Sequence, residues 1–224
     1  MHAKSETHQT INLALFDFDG TLYPKDSFTG FIFFTLSKRH IVKKGLTILP
    51  WIQAYYLRLY PAHAMRPRLF QTMFEGISAD FVENLVHEYA ELLVKKLDPD
   101  LLQQLYLHQQ HGDHVVLVSA SVDLYLAPIC RFLNIELICT ETEIKNGVLT
   151  GRYRSQDCSC EQKKLRILQQ YNLEDYQYIY AYGNSKEDLD MLSLADHPYM
   201  MGQRKSLPEL KPREIGLYKS PKRA

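Results

Sequence analysis

The sequence predicts an α/β fold, with a mainly parallel sheet and an all-helical insertion placed after the first strand. Three observations carry this reading. Short apolar runs of strand length alternate with helical periodicity, as in chains that build a parallel sheet through right-handed crossovers. The residues that end those runs are polar. Residues 27–110 read as helix after helix with only short breaks.

The first run, 11–16, reads as a buried strand leading into Asp17-Phe18-Asp19-Gly20-Thr21, a turn loaded with polar groups. In the helical stretch that follows, breaks are expected at Pro50, Pro61 and Ser78. One helix takes Ser78 as its N-cap and places Phe81, Leu85, Tyr89 and Leu92 on its apolar face; the next starts with Asp98 and Pro99. A second strand begins at His114, a helix runs to about 134, and a third strand covers 135–140. Lys145-Asn146-Gly147 is a hairpin turn signal. A helix over 160–171, a strand over 178–182, a helix over 186–194 and a short strand near Tyr199 complete the alternation. The expected division is a discontinuous α/β domain of residues 1–26 and 111–224 and a helical domain of residues 27–110. Residues 204–224, rich in Lys and Arg, are expected to form a solvated tail.

Composition removes several function classes. Hydrophobic residues make up 46% and charged residues 23% of 224, which suits a globular chain rather than a disordered one. Lys plus Arg equals Asp plus Glu at 26 each, so the basic excess of a nucleic-acid binder is missing and no such partner is expected. Cys130, Cys139, Cys158 and Cys160 lack the pair-of-pairs spacing of a zinc site and are too few for a disulfide scaffold, which points to a reducing compartment. Residues 1–10 are polar, without an apolar secretory core, and a cytoplasmic location is expected. The stretch 41–60 carries Lys43, Lys44, Arg58 and Pro50 and reads as one or two amphipathic helices rather than a membrane span. Its Trp51, Tyr55, Tyr56 and leucines are expected to pack inside the helical segment, with contact to lipid as the alternative.

Ligands of open α/β sheets bind beyond the carboxyl ends of the strands, and four polar places belong there. These are Asp17 with Asp19; Ser119; Lys163 with Lys164; and Asn184, Ser185, Glu187 and Asp188. Two carboxylates, a hydroxyl, an ammonium and further oxygens suit the movement of a phosphoryl group. Hard oxygen ligands select Mg²⁺, and the cation and a lysine together allow an aspartate to attack an anionic phosphorus. A second carboxyl can protonate the leaving oxygen and later activate water.

The motif Asp17-Phe-Asp-Gly-Thr-Leu22 resembles the first signature of the haloacid dehalogenase-like hydrolase superfamily, and Val116-Leu-Val-Ser-Ala-Ser121 its second. Lys163 matches the third and Gly183-Asn-Ser-Lys-Glu-Asp-Leu-Asp-Met-Leu192 the fourth. Leu149-Thr-Gly-Arg152 and the spacing from Cys158 to Lys163 are similar to the phosphoserine-phosphatase-like subfamily IB. The resemblance implies a Rossmann-like core with a C1-type helical cap. It implies Asp17 as nucleophile, Asp19 as general acid and base, and Ser119, Ala120, Thr21 and Lys163 around the phosphate. It also implies Mg²⁺ on the Asp17 carboxylate, the Asp19 carbonyl and Asn184, with Asp188 supporting that loop. Asn184 departs from the commoner Asp, so weaker metal affinity with retained activity is expected.

Substrate is less legible. Asp26 lies where phosphoserine phosphatases carry an acid that meets the substrate amine, and Arg66 and Arg68 could greet a second anionic group. Ser119-Ala120-Ser121 instead resembles the varied remainder of the subfamily, which includes phosphatidylglycerophosphate phosphatases. The favoured reading is a Mg²⁺-dependent phosphatase acting on a small phosphorylated metabolite. A lipid phosphate phosphatase at a membrane surface and a binding module weakened by Asn184 are the alternatives.

Overall fold

The computed structural model describes residues 11–57, 59–60, 62–203 and 206–211. In chain order the elements are β1 (Ile11–Phe16), α1 (Ser27–Thr35), α2 (Lys38–Tyr56), α3 (Ala62–Phe74), α4 (Ala79–Val94) and α5 (Pro99–His111). There follow β2 (His114–Val122), α6 (Asp123–Leu133), β3 (Glu136–Thr140), β4 (Thr142–Lys145) and β5 (Val148–Tyr153). The chain then forms α7 (Glu161–Gln170), β6 (Tyr176–Gly183), α8 (Leu189–Leu192) and β7 (His197–Met200).

β1 buries every residue after Ile11, so both of its faces are covered, as in an interior strand of a parallel sheet. It pairs in parallel with β2 and β6, Phe16 standing opposite Leu117 and Tyr182. β3 and β7 extend the sheet to the order β3-β2-β1-β6-β7, parallel throughout. The predicted α/β class is therefore the observed one. Alternation divides the side chains between two cores. Leu13, Leu15, Val116, Val118 and Ala181 meet Ile167 of α7 and Met191 of α8, whereas Ala14, Phe16, Leu117, Tyr180 and Tyr182 face the side of α5 and α6. The chain moves outward from β1 to β2 and β3, then resumes at β6 and β7 on the other side. Strand order thus reverses between β1 and β6, and the crevice beyond their carboxyl ends is the ligand position of such sheets.

Helices α1 to α4 leave the sheet directly after the β1 turn. Ser78 caps α4 as expected, its Oγ accepting from Phe81 N. The buried face is Val82, Val86, Tyr89, Ala90 and Leu93, while Phe81 is half exposed, so the apolar face lies about one residue from the predicted one. Tyr89 decides this by packing on Phe31 of α1 and Tyr125 of α6. Pro50 does not break α2, a single helix of 19 residues. A proline removes one backbone bond and kinks a helix, but neighbours can hold both halves. Buried Ile48 precedes it, and Trp51, under the Arg68 guanidinium, follows it. A second correction concerns the same helix: only Ile48 of α2 is buried, so the apolar side chains expected inside the helical segment stand largely at the surface.

The hairpin signal is realised, with Asn146 at φ 51° and Gly147 at φ 75° in the turn between β4 and β5. This ribbon supports the insertion: Gly76 N donates to Leu149 O (2.9 Å) and Leu149 N to Ile77 O (2.8 Å). Helix α5, counted with the helical segment in the sequence, lies against the sheet, its Gln104 donating to the Tyr182 hydroxyl. Residues 206–211 pack there too, with Lys211 N donating to Tyr180 Oη and Pro208 O accepting from Gln104. That part of the expected solvated tail is thus fixed on the fold; Pro61, Arg204, Lys205 and residues 212–224 lie outside the described residues. No helix among the described residues is long and apolar enough to cross a membrane.

Candidate active site

The turn after β1 folds tightly because its backbone closes on itself: Thr21 N and Tyr23 N both donate to Phe18 O, and Gly20 N to Tyr23 O. Gly20 holds φ 79°, and a Cβ there would stand 1.9 Å from the Asn184 amide nitrogen. Only glycine admits that approach, so the turn and the Asn184 side chain share one small space. Asp17 is anchored by its N–H to Tyr182 O on β6 (2.9 Å), and its Oδ2 accepts from Thr21 Oγ1 (2.9 Å).

Lys163, in the first turn of α7, enters this space almost fully buried and donates to Asp17 Oδ1 (2.5 Å) and Asp188 Oδ1 (2.6 Å). Its neighbour Lys164 points elsewhere, to Ser193. A buried ammonium is tolerated because two carboxylates answer it. Burial works against the Lys163 charge, but Asp17 and Asp188 more than offset it and raise its pKa. The other Asp188 oxygen accepts from Asn184 N, Ser185 N and Ser185 Oγ, which fixes the loop after β6. Burial would raise the Asp188 carboxyl, yet Lys163 and these donors hold it below its usual range. Asp17 behaves differently: burial pushes it up to about 6 despite Lys163, with Asp188 and Asp19 adding to the rise.

Asp19 accepts from Ser27 N (2.6 Å) and from Ser121 Oγ (2.5 Å), so it ties the start of α1 to the end of β2. Ser27 Oγ bonds Tyr125 Oη, and Tyr89 Oη donates to Ser27 O. Burial raises the Asp19 carboxyl, resisted by the Ser121 and Ser27 bonds. This hydroxyl chain was missed in the sequence. Ser27, Tyr89 and Tyr125 come from three elements, and no local spacing announces their meeting.

The remaining predicted residues divide. Buried Ser119 lies at the end of β2, its Oγ accepting from Ser121 N, while Ala120 O accepts from Thr140 Oγ1. Asp26 is drawn away: both its oxygens accept from Thr29, so it caps α1. Arg66 does not face open space. It reaches from α3 to Asp157 (3.1 Å) and Glu187 (2.9 Å), clasping the insertion to the loops that precede α7 and α8. Cys158 and Cys160 join no metal-type cluster among the described residues.

Asp17 and Asp188 share one ammonium while Asp19 adds its field to Asp17, leaving a buried excess of negative charge that favours a cation. The side chains available around this turn are the Asp17 carboxylate and, beside Gly20, the Asn184 amide, neither of them a thiol or imidazole. Such a set fits Mg²⁺, which takes one or two carboxylates and keeps several waters, better than a metal that needs Cys or His.

Two relatives and one solved structure set this geometry in context. Protein CicA of Caulobacter vibrioides is 28% identical over 191 residues, covering 82% of this chain and 83% of that one. The histidinol-phosphatase of Neisseria meningitidis serogroup C is 26% identical over 203 residues, 84% of this chain and 88% of that protein. A crystal structure of a protein of unknown function from Bordetella pertussis Tohama I superposes with a TM-score of 0.74 at 25% identity, covering 84% and 89% of the two chains. The family model for haloacid dehalogenase-like hydrolases matches residues 14–193, a span that runs from β1 and the Asp17 turn to the loop of Asn184 and Asp188. The chain belongs to the haloacid dehalogenase-like hydrolase family.

Proposed function

We propose that this hydrolase is a Mg²⁺-dependent phosphatase that cleaves a small organic phosphomonoester through a phosphorylated Asp17. One observation carries the reading: Lys163 Nζ bridges the buried Asp17 and Asp188 at the point where strand order reverses. Thr21 and Lys163 orient the Asp17 carboxylate, whose pKa near 6 leaves it ionised at neutral pH. An Asp17 oxygen attacks phosphorus as the ester P–O bond breaks, and Asp19 donates a proton to the departing oxygen. In the second half Asp19 takes a proton from water, which attacks phosphorus, breaks the bond to Asp17 and releases inorganic phosphate. Ser119, Ala120 and Lys163 line the place of the phosphate oxygens.

Asp17, the Asp19 carbonyl and Asn184 would hold Mg²⁺, with Asp188 ordering the loop; when bound, the cation neutralises charge on the incoming phosphate. The helical insertion serves as a cap that selects the substrate and excludes water, and Arg66 clasps it to the core. The four free cysteines suit the reducing cytoplasm in which this reading places the enzyme.

The test is release of inorganic phosphate from histidinol phosphate, phosphoserine, sugar phosphates and phosphatidylglycerophosphate, with Mg²⁺ or EDTA, for wild type and Asp17→Asn. Metal-dependent turnover that Asp17→Asn abolishes supports the reading, and the substrate ranking separates soluble from lipid phosphates. Folded protein that turns over none of them would transfer the chain to the binding-module reading. In the same assay Asn184→Asp is expected to lower the Mg²⁺ concentration needed for half-maximal activity, since it adds a charged ligand.

A further inference from the structure

The net charge of zero conceals a segregated chain. Residues 27–74 contain seven Lys and Arg and no Asp or Glu, so they carry a formal +7. The remainder holds 19 basic and 26 acidic residues and carries −7. Two of the seven cations are engaged internally: Arg66 by Asp157 and Glu187, and Arg68 over the Trp51 ring at 3.7 Å. Four others, Lys38, Arg39, Lys43 and Lys44, stand on the first two turns of α2, a helix without an acidic residue.

The outer side of that helix is apolar. Val42, Leu46, Leu49 and Tyr56 recur at spacings that fall on one stripe of a 3.6-residue helix. They are 63%, 68%, 44% and 79% exposed, and Leu57 and Leu59 continue the stripe past the helix end. A surface helix ordinarily turns such a stripe inward, but α2 buries only Ile48.

We propose that α2 docks on an anionic phospholipid surface, its stripe entering the boundary between headgroups and acyl chains and its cations meeting lipid phosphates. Charge and residue type favour lipid over another occupant: α2 carries four cations and no acidic residue at one end, and at its other end Tyr55 and Tyr56 are exposed, a residue type that settles at membrane interfaces. The docking stands independently of the hydrolytic reading.

Co-sedimentation of the full chain with vesicles tests it, comparing phosphatidylcholine alone with phosphatidylcholine containing about 30% phosphatidylglycerol. Capture by the anionic vesicles, reversed by raised salt, is the expected result. Leu46→Gln/Leu49→Gln should weaken capture roughly tenfold, and Lys38→Gln/Arg39→Gln/Lys43→Gln roughly a hundredfold. The control pair Lys95→Gln/Lys96→Gln should bind as wild type. All these side chains are exposed, and circular dichroism should be unchanged. Folded wild type left in the supernatant overturns the proposal, as does capture insensitive to both α2 variants. A dimer by light scattering that Leu46→Gln/Leu49→Gln splits also overturns it, assigning the face to a second copy.

Discussion

Two buried polar clusters share strands β1 and β6, and they treat their carboxylates in opposite ways. At the carboxyl ends, Asp17 meets Lys163 and Thr21 yet is pushed up to about 6 by burial. On the sheet face under α5, Asp113 accepts from His108 Nδ1 (2.7 Å), His111 Nδ1 (2.8 Å) and Asn12 Nδ2 (3.0 Å). Burial would raise Asp113 as well, but these donors outweigh it and hold the carboxyl below its usual range. His108 Nε2 meets the Tyr182 hydroxyl, which itself accepts from Gln104, an arrangement that a neutral ring with its proton on Nδ1 satisfies. Burial lowers the His108 pKa and keeps it neutral. A carboxylate whose lone pairs are answered by donors supports the fold. One held in a field of further carboxylates keeps an unmet demand for positive charge, the mark of a reacting group.

The sharpest way to break this contrast is to neutralise each carboxylate in turn. Asp17→Asn is expected to cost turnover on the order of 10³-fold or more while leaving the melting temperature unchanged or higher, because a buried carboxylate with a raised pKa costs stability at neutral pH. Asp113→Asn should do the reverse, lowering stability by about 1–3 kcal/mol with turnover within a few-fold of wild type. Thermal melts and phosphate-release rates on the same preparations decide it, and equal effects on both readouts would erase the distinction. Lys163→Met comes next. It leaves Asp17 and Asp188 facing each other without their shared cation, a change expected to destabilise by about 3–5 kcal/mol in urea unfolding.

The cluster proposed to react was legible in the sequence and the hydroxyl chain around Asp19 was not, for a physical reason. Asp17, Asp19, Asn184 and Asp188 each follow the end of a strand that announces itself through an apolar run, and Lys163 opens α7. Their convergence then follows from the parallel sheet. Ser27, Tyr89 and Tyr125 meet around Asp19 only because α1, α4 and α6 pack together, and helix packing leaves no fixed spacing along the chain. The same limit explains the shifted face of α4 and the misread Pro50, both settled by tertiary contacts of Tyr89, Ile48 and Trp51 rather than by local propensity. Asp26 shows the converse. Its position relative to Asp17 suggested a substrate contact, whereas its side chain is engaged in capping α1.

The smallest expected effect is also the one most specific to the comparison, because the two clusters bias stability with pH in opposite directions. His108 has a folded pKa below its ordinary 6.5, so the unfolded chain takes up that proton first. Its contribution is complete above 6.5 and is lost as pH falls through the window beneath it. Asp113, held below 3.8, adds a loss of the same sign only at lower pH. Asp17 has a folded pKa of about 6 against an ordinary 3.8, so the folded chain binds its proton first. That contribution is complete below 3.8 and is lost as pH rises through 6. Between neutral pH and pH 5 the His108 cluster therefore weakens the fold while Asp17 steadies it. With EDTA present to exclude metal, the melting temperature of Asp17→Asn should fall more steeply over this range than that of wild type, and His108→Gln less steeply. Three parallel curves would mean that neither cluster couples its protonation to folding, and the electrostatic contrast between them would have to be given up.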